Sequence, residues 1–498
     1  MSDRQKIESQ MNEDEMLAME VGEAKPGKPK RQVDTGDHFV EESRNDRLGN
    51  VVDKHDPIQL SDHFTYGRLI RFTWPAMAMS LFGSIYGMVD GYFVSNYAGS
   101  NALAAVNLVF PPIMILASIG FMLGGGGAAL VGKVLGEKDP ERANAYFSLV
   151  TYGTAVIGII TAIILVLLMP ALGSMMGAEG EVEQMFVVYG RILCATLPAF
   201  MLQFHFHTFL VVAEKPKIGL YFTVAGGVTN MILDFVLVGV LKWGLIGAAL
   251  ATDIAQIVGG IFPMIYFFSH NSSLLRLGKC YWSGFAIKRS FYNGISTFLS
   301  NAASSLVSLV TNWLLMTFAG PQGVAAYGVI MYASWVFTAI FFGYCNGCSP
   351  IVSFHYGAQN HGELRSMLQK SFMFELVVCI IAAVLNFILA GPATRIFVGY
   401  DPELTAFTIH AFRIYSLSYI GTGFGFFSTV FFTALNNGLV AGIISFTRLI
   451  VLQVGLTVAM GFMFGAEGLW WAMVLAQTLG FVVACVFVWM YRDRYHYL

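Results

Sequence analysis

Apolar positions along this chain come in long unbroken runs. Crossing the hydrocarbon of a bilayer takes about 20 mainly apolar residues. Runs of that kind lie near 69–94, 103–127, 143–169, 184–212, 217–241, 245–269, 289–318, 324–350, 364–389, 404–433, 438–462 and 466–490. The pattern predicts an all-α integral membrane protein with twelve transmembrane helices, here called spans 1 to 12. The runs also repeat. Ala98-Gly99 followed by Ala104-Ala105 returns as Ala319-Gly320 followed by Ala325-Ala326, a shift of 221 positions (319 − 98). Gly136 returns as Gly357, Gly244 and Gly247 as Gly465 and Gly468, and Gln256 as Gln477, all without a gap. A repeat of this length predicts two six-helix lobes.

Short loops rich in Lys and Arg favour the cytoplasmic side. Lys133, Lys138 and Arg142 lie in the 2–3 loop, Lys215 and Lys217 in the 4–5 loop, and Arg276, Lys279, Lys288 and Arg289 in the 6–7 loop. Arg365 lies in the 8–9 loop, and Arg492 and Arg494 follow span 12. Only Lys242 and Arg395 break the pattern. Both termini are expected to be cytoplasmic. Six spans per copy is an even number, so the copies share one orientation and a pseudo-two-fold axis along the membrane normal. The expected organisation is a tail over 1–60, an N-terminal lobe over 61–270, a cytoplasmic linker over 271–288, a C-terminal lobe over 289–491 and a cytoplasmic end over 492–498.

Composition agrees with this picture. Hydrophobic residues make up 56% of the chain and charged ones 12%, against roughly a quarter charged in soluble domains. Much of the charge sits in the stretch 1–60, which has no Trp or Cys and no apolar signal region. That segment is expected to be a disordered cytoplasmic tail. A net charge of −2 points to no nucleic-acid partner.

Several apparent chemical motifs dissolve on inspection. Gly127 to Val134 resembles a phosphate-binding loop, but Val134 stands where a Ser or Thr must follow Lys133. Cys345 and Cys348 have C-x-x-C spacing, yet align with Gly124 and Gly127, which reads as small residues at a packing contact. His205 and His207 are two apart, about 200° around a helix, and cannot share one metal. No hydrolase or kinase set is complete, so no enzyme is expected.

The informative polar residues are acids at membrane depth, where charge is costly. Asp90, Asp234 and Asp253 fall in spans 1, 5 and 6, and helix rise places them in the outer half of the N-terminal lobe. Asn230 and Asp234, like Tyr86 and Asp90, are spaced to share a helix face. Such oxygens suit a hard monovalent cation or a carboxylate pair that accepts a proton; a polar knot between helices is the bland alternative. The second copy has Thr311, Val451, Gly455 and Met473 where the first has Asp90, Asn230, Asp234 and Thr252. A knot required by the fold would recur, so the asymmetry favours function. Glu375 in span 9 is expected near the cytoplasmic end, free to snorkel.

At Pro75 to Phe93, Gly132 to Asp139 and Asn230 to Thr252 the chain resembles the multidrug and toxic compound extrusion (MATE) transporters, in the prokaryotic branch of DinF-like and MepA-like exporters. The resemblance runs over about 60–495 and includes both lobes. It implies an antiporter that exports lipophilic, often cationic, organic compounds in exchange for Na⁺ or H⁺, with no cofactor. It assigns cation coupling to Asp90, Tyr86, Asn230, Asp234 and Thr252, and helix bending to Pro75. His207, Asn301 and Asp253 become candidate cavity-lining residues. A monomer in the bacterial cytoplasmic (inner) membrane is expected, its partners being the bilayer and a small organic substrate. The alternative is a flippase for lipid-linked oligosaccharides, with Arg191, Arg413 and Arg448 as candidate ligands for pyrophosphate.

Overall fold

The computed structural model describes residues 58–497 apart from Gly99, Gly177 and Tyr400. The tail expected over 1–60 lies outside the described residues except for its last three. All twelve spans are present. Span 1 is Tyr66–Phe93, continued by the π-helical Val94–Ala98, and is followed by Ser100–Gly136, Pro140–Met175 and the paired segments Glu181–Ala195 and Leu197–Val212. Span 5, Pro216–Leu233 with Asp234–Val240, and span 6, Gly244–Phe268, complete the first lobe. The helical stretch Gly284–Gly357 breaks at Gly320, where φ is +64°, giving spans 7 and 8. His361–Val398 is span 9, and Pro402–Ser416 with Tyr419–Ala434 is span 10. Gly438–Phe446, Thr447–Val454 and the first part of Gly455–Met490 form span 11, and Gly465 at φ +63° turns the chain into span 12.

Local chemistry repeats with the fold. Asp139 caps span 3 by accepting from the Arg142 N–H at 3.1 Å, and Asn360 caps span 9 through the Glu363 N–H at 3.2 Å. These caps are related by the same shift (360 − 139 = 221). Gly244 and Gly465 both adopt the left-handed conformation that a side chain disfavours, at φ +56° and +63°. Spans 4 and 10 both bend midway, by 53° and 48°. The register is not constant throughout. Span 4 resumes at Leu197 and span 10 at Tyr419, a shift one larger (419 − 197 = 222), because the second bend contains Leu417 and Ser418 where the first has only Thr196. The offset is 221 again by Gly244 and Gly465. On either register Asn230 and Asp234 face apolar residues or glycine in the second copy, so the asymmetry of the acids stands.

With an even number of spans, span 1 starts and span 12 ends on one side, the terminal face. The lobes meet in the half nearest that face. A Cβ built on Gly126 of span 2 would lie 2.5 Å from the Gly294 nitrogen of span 7, and one on Gly347 of span 8 would lie 2.9 Å from the Thr73 Cβ of span 1. These contacts are exchanged by the repeat (347 − 126 = 294 − 73 = 221). Gly136 against Phe354 and Gly357 against Lys133 form a second exchanged pair. Backbones touch on both sides of a two-fold axis because glycine leaves no side chain between them.

Residues 58–65 cross the terminal face. The Leu60 N–H donates to Glu214 Oε1 at 2.5 Å in the first lobe. The Phe64 N–H donates to Glu363 Oε1 at 2.9 Å in the second, where His63 Nδ1 lies 2.7 Å from Oε2 and Lys370 Nζ donates to the Phe64 carbonyl. Leu60 and Phe64 are fully buried, so packed structure begins before the expected end of the tail.

Candidate cation-coupling site

Two of the three acids expected in the outer half of the first lobe, Asp90 and Asp234, are brought together. Counted from the helix starts at Tyr66 and Pro216, Asp90 lies about 36 Å from the terminal face along span 1, and Asp234 about 27 Å from it along span 5. The Asp90 and Asp234 carboxyls lie beside each other, and Thr252 of span 6 lies next to Asp90. Asp234 is 0% exposed and Asn230, one turn away, 1%. Asp234 also starts the π-helical turn of span 5, where the Leu241 N–H reaches back to the Val236 carbonyl at 2.8 Å. Such turns widen a helix and are frequent at functional sites.

Tyr86 sits one turn before Asp90. Its ring lies against span 5 because Gly227 has no side chain: a Cβ there would come within 2.9 Å of Tyr86 Cδ1. Gln203 of span 4 lies beside the Tyr86 hydroxyl. Gln203 in turn occupies space left by Gly259, whose Cβ would lie 2.8 Å from the amide. Two residues absent from the sequence reading therefore belong here, Gln203 and Tyr189. Tyr189 is fully buried, its hydroxyl has no partner, and it lies within electrostatic reach of Asp90, Asp234 and Asp253. Nothing in the apolar pattern of span 4 distinguishes either from a core residue.

As ionised acceptors, Asp90 Oδ1, both oxygens of Asp234 and the Asn230 carbonyl oxygen have no donor. Among the described residues no Lys, Arg or His lies within ion-pair distance of these acids. Buried carboxylates without a basic partner require a proton or a cation. A proton shared between Asp90 and Asp234, or a hard cation among these oxygens, would supply the missing interaction.

The remaining candidates are distributed elsewhere. Asp253 turns to the bend of span 4, where its Oδ1 accepts from Thr196 Oγ1 at 2.6 Å. His207 pairs with Thr223 Oγ1 of span 5 at 3.0 Å, while His205 faces span 3 and meets Thr151 Oγ1 at 2.8 Å. Asn301 of span 7 donates to the Thr297 carbonyl at 2.9 Å, in the other lobe. Pro75 is buried inside the continuous helix of span 1. Cys345 and Cys348 are buried free thiols.

Two expectations are corrected. Glu375 does not snorkel: it lies about 21 Å along span 9 from the helix start at His361 and is fully buried. Cys345 Sγ is 3.6 Å from its Oε1. The arginines considered for a pyrophosphate are not gathered. Arg191 is exposed and reaches the Val166 carbonyl at 3.4 Å, and Arg413 is exposed over the Phe387 ring. Arg448 is 2% exposed, inside the second lobe over the Phe426 ring.

Two like lobes around a two-fold axis, one carrying a buried acidic site and both closed together toward one face, define a two-lobed membrane transporter. The chain belongs to the MATE family: the MatE family model matches residues 75–236 and 296–459. The starts of the two matches differ by the repeat shift itself (296 − 75 = 221). The multidrug export protein MepA of Staphylococcus saprophyticus is 25% identical over 428 residues, covering 86% of this chain and 94% of that protein. MepA of Staphylococcus aureus MRSA252 is 24% identical over 429 residues, with the same coverage. An outward-facing multidrug resistance MATE family transporter of the MOP superfamily superposes with a TM-score of 0.84 at 20% identity, over 90% of this chain and all of that one. A MATE structure in complex with MaL6 gives 0.83 at 21% identity, over 88% of this chain and 98% of that one.

Proposed function

We propose that the protein is a secondary active antiporter that exports lipophilic, often cationic, organic compounds in exchange for Na⁺ or H⁺ by alternating access. The observation that carries this reading is the donor-poor acidic site of one lobe: buried oxygens of Asp90, Asp234 and Asn230 without partners. The similarity to MepA multidrug export proteins supports the substrate class.

The terminal face, with its Lys- and Arg-rich loops, is the cytoplasmic one, and the lobe contact at Gly126 and Gly294 closes the cytoplasmic route. A cation or proton entering from outside binds at Asp90, Asn230, Asp234 and Thr252, with Tyr86 below them. Binding neutralises the carboxylates, and span 1 repacks about Pro75, whose ring and missing N–H weaken the helical bonding of that turn. Substrate leaves, the lobes rock, and the ion is released inside. Coupling requires that the ion bind the two states with different affinity. The lobes act as the units 61–270 and 289–491, joined by the linker 271–288, in a monomer of the bacterial inner membrane.

Replacing Asp234 by Asn tests the assignment. Vesicles carrying Asp234→Asn should lose most gradient-driven ethidium efflux while expressing normally; full efflux removes Asp234 from the coupling machinery.

A further inference from the structure

The bend of span 4 carries polar chemistry that the Asp90–Asp234 pair does not use. The two halves of span 4 meet at 53° around Thr196. Pro198 has no N–H, so the Cys194 carbonyl loses the donor that an unbroken helix would supply. Its remaining contact is the Thr196 N–H, two positions on, a geometry far from a helical bond. The carbonyl end of a half-helix also carries partial negative charge.

Span 6 places Asp253 and Gln256 against this bend. Thr196 Oγ1 is 2.6 Å from Asp253 Oδ1 and 3.0 Å from the Gln256 side-chain amide, so hydroxyl, carboxylate and amide converge on the bend. Asp253 is 6% exposed, and among the described residues no base lies within ion-pair distance of it. The unpartnered Tyr189 hydroxyl, itself fully buried, lies within reach of Asp253 as well as of Asp90 and Asp234. The charge count points the same way. A proton or cation held by Asp90 and Asp234 leaves the Asp253 carboxyl to be compensated separately. The second lobe has Val474 at the equivalent position (253 + 221), so the carboxylate is not a demand of the fold.

From this we infer that the N-terminal lobe holds a second cation position at the bend of span 4, formed by Asp253, Thr196, Gln256 and the Cys194 carbonyl, with a hard monovalent cation, Na⁺, as its ligand. Carboxylate, hydroxyl, amide and carbonyl oxygens suit such an ion, and the carbonyl ends of broken membrane helices coordinate Na⁺ in other transporters. Tyr189 lies within electrostatic reach of both this position and the Asp90–Asp234 pair. The inference rests on the antiport reading and adds a second ion to its cycle.

Equilibrium binding of ²²Na⁺ to the purified full chain in nanodiscs tests it. The wild type should bind Na⁺, two per chain if the Asp90–Asp234 site also takes Na⁺ and one if it takes a proton, and Asp253→Asn and Thr196→Val should each bind one fewer than the wild type. In proteoliposomes, Asp253→Asn should lower the Na⁺ moved per ethidium by one ion. An unchanged count in both variants overturns the second position, as does a wild type that binds no Na⁺. The antiport reading is judged separately: efflux retained by Asp234→Asn refutes it whatever the Na⁺ count.

Discussion

Alanine at Gly126 should pry the lobes apart where their backbones touch. Its Cβ would lie 2.5 Å from the Gly294 nitrogen and 3.0 Å from the Gly294 Cα, with the Ser290 carbonyl oxygen closer still. All three are backbone atoms of span 7, so no rotamer relieves the overlap. Restoring ordinary contact of about 3.4 Å to the nearest of these atoms moves one helix by about 1.4 Å, in a region where interiors are close-packed. Overpacking of this kind costs about 1–3 kcal/mol, which shifts the balance between closed and open cytoplasmic faces by about 5- to 150-fold. Spin labels at the exposed Glu141 and Arg365, one on each lobe, read that balance as a distance distribution. The wild type should give mainly the short distance of the closed face. Gly126→Ala should add a longer one and lower ethidium efflux. Gly153→Ala is the control, since nothing lies within 4 Å of its added Cβ. Wild-type distances and efflux in Gly126→Ala would refute the packing argument.

Other outcomes follow from single residues. Burial raises the Glu214 carboxyl from 4.5 to about 7, so the folded protein keeps a proton that the unfolded chain releases. Stability from this group is complete below pH 4.5 and is lost as the pH rises through 7, by at most about 3 kcal/mol. The melting temperature in nanodiscs should fall across that window, and Glu214→Gln should flatten the slope; an equal slope in the variant contradicts the assignment. Gly465→Ala meets no neighbour within 4 Å but must hold φ near +63°, so it should cost about 1 kcal/mol and leave efflux intact. An unfolding midpoint that does not move would show that the turn between spans 11 and 12 relaxes freely.

Architecture was legible in the sequence because it is written in features with long reach: apolar runs, and a repeat anchored on glycines. Gly136, Gly244, Gly357 and Gly465 proved to be contact or turn positions, which explains why they persist in both copies. The acids were legible for the same energetic reason, since Asp90 and Asp234 are conspicuous among apolar neighbours. What escaped was set by tertiary geometry. Tyr189 and Gln203 look like any aromatic or polar residue of span 4 until the bend turns them toward spans 1 and 6. Glu375 looked close to an end only because span 9 was drawn from its apolar core, whereas the polar turn from His361 is helical as well. The one-residue change of register at Leu417 and Ser418 was hidden by the absence of matched glycines there. Leu60 and Phe64 are isolated apolar residues in a charged segment, and only the partners Glu214 and Glu363 reveal why they are buried.

Obligatory exchange is the central claim, and running the exchange backwards tests it most directly. Proteoliposomes with no Na⁺ or pH gradient would be given an ethidium gradient, and the movement of Na⁺ and of protons followed. The account predicts that one of these cations moves uphill against the ethidium flux, and that Asp234→Asn abolishes the movement. Ethidium flux through the protein with neither cation displaced would contradict it.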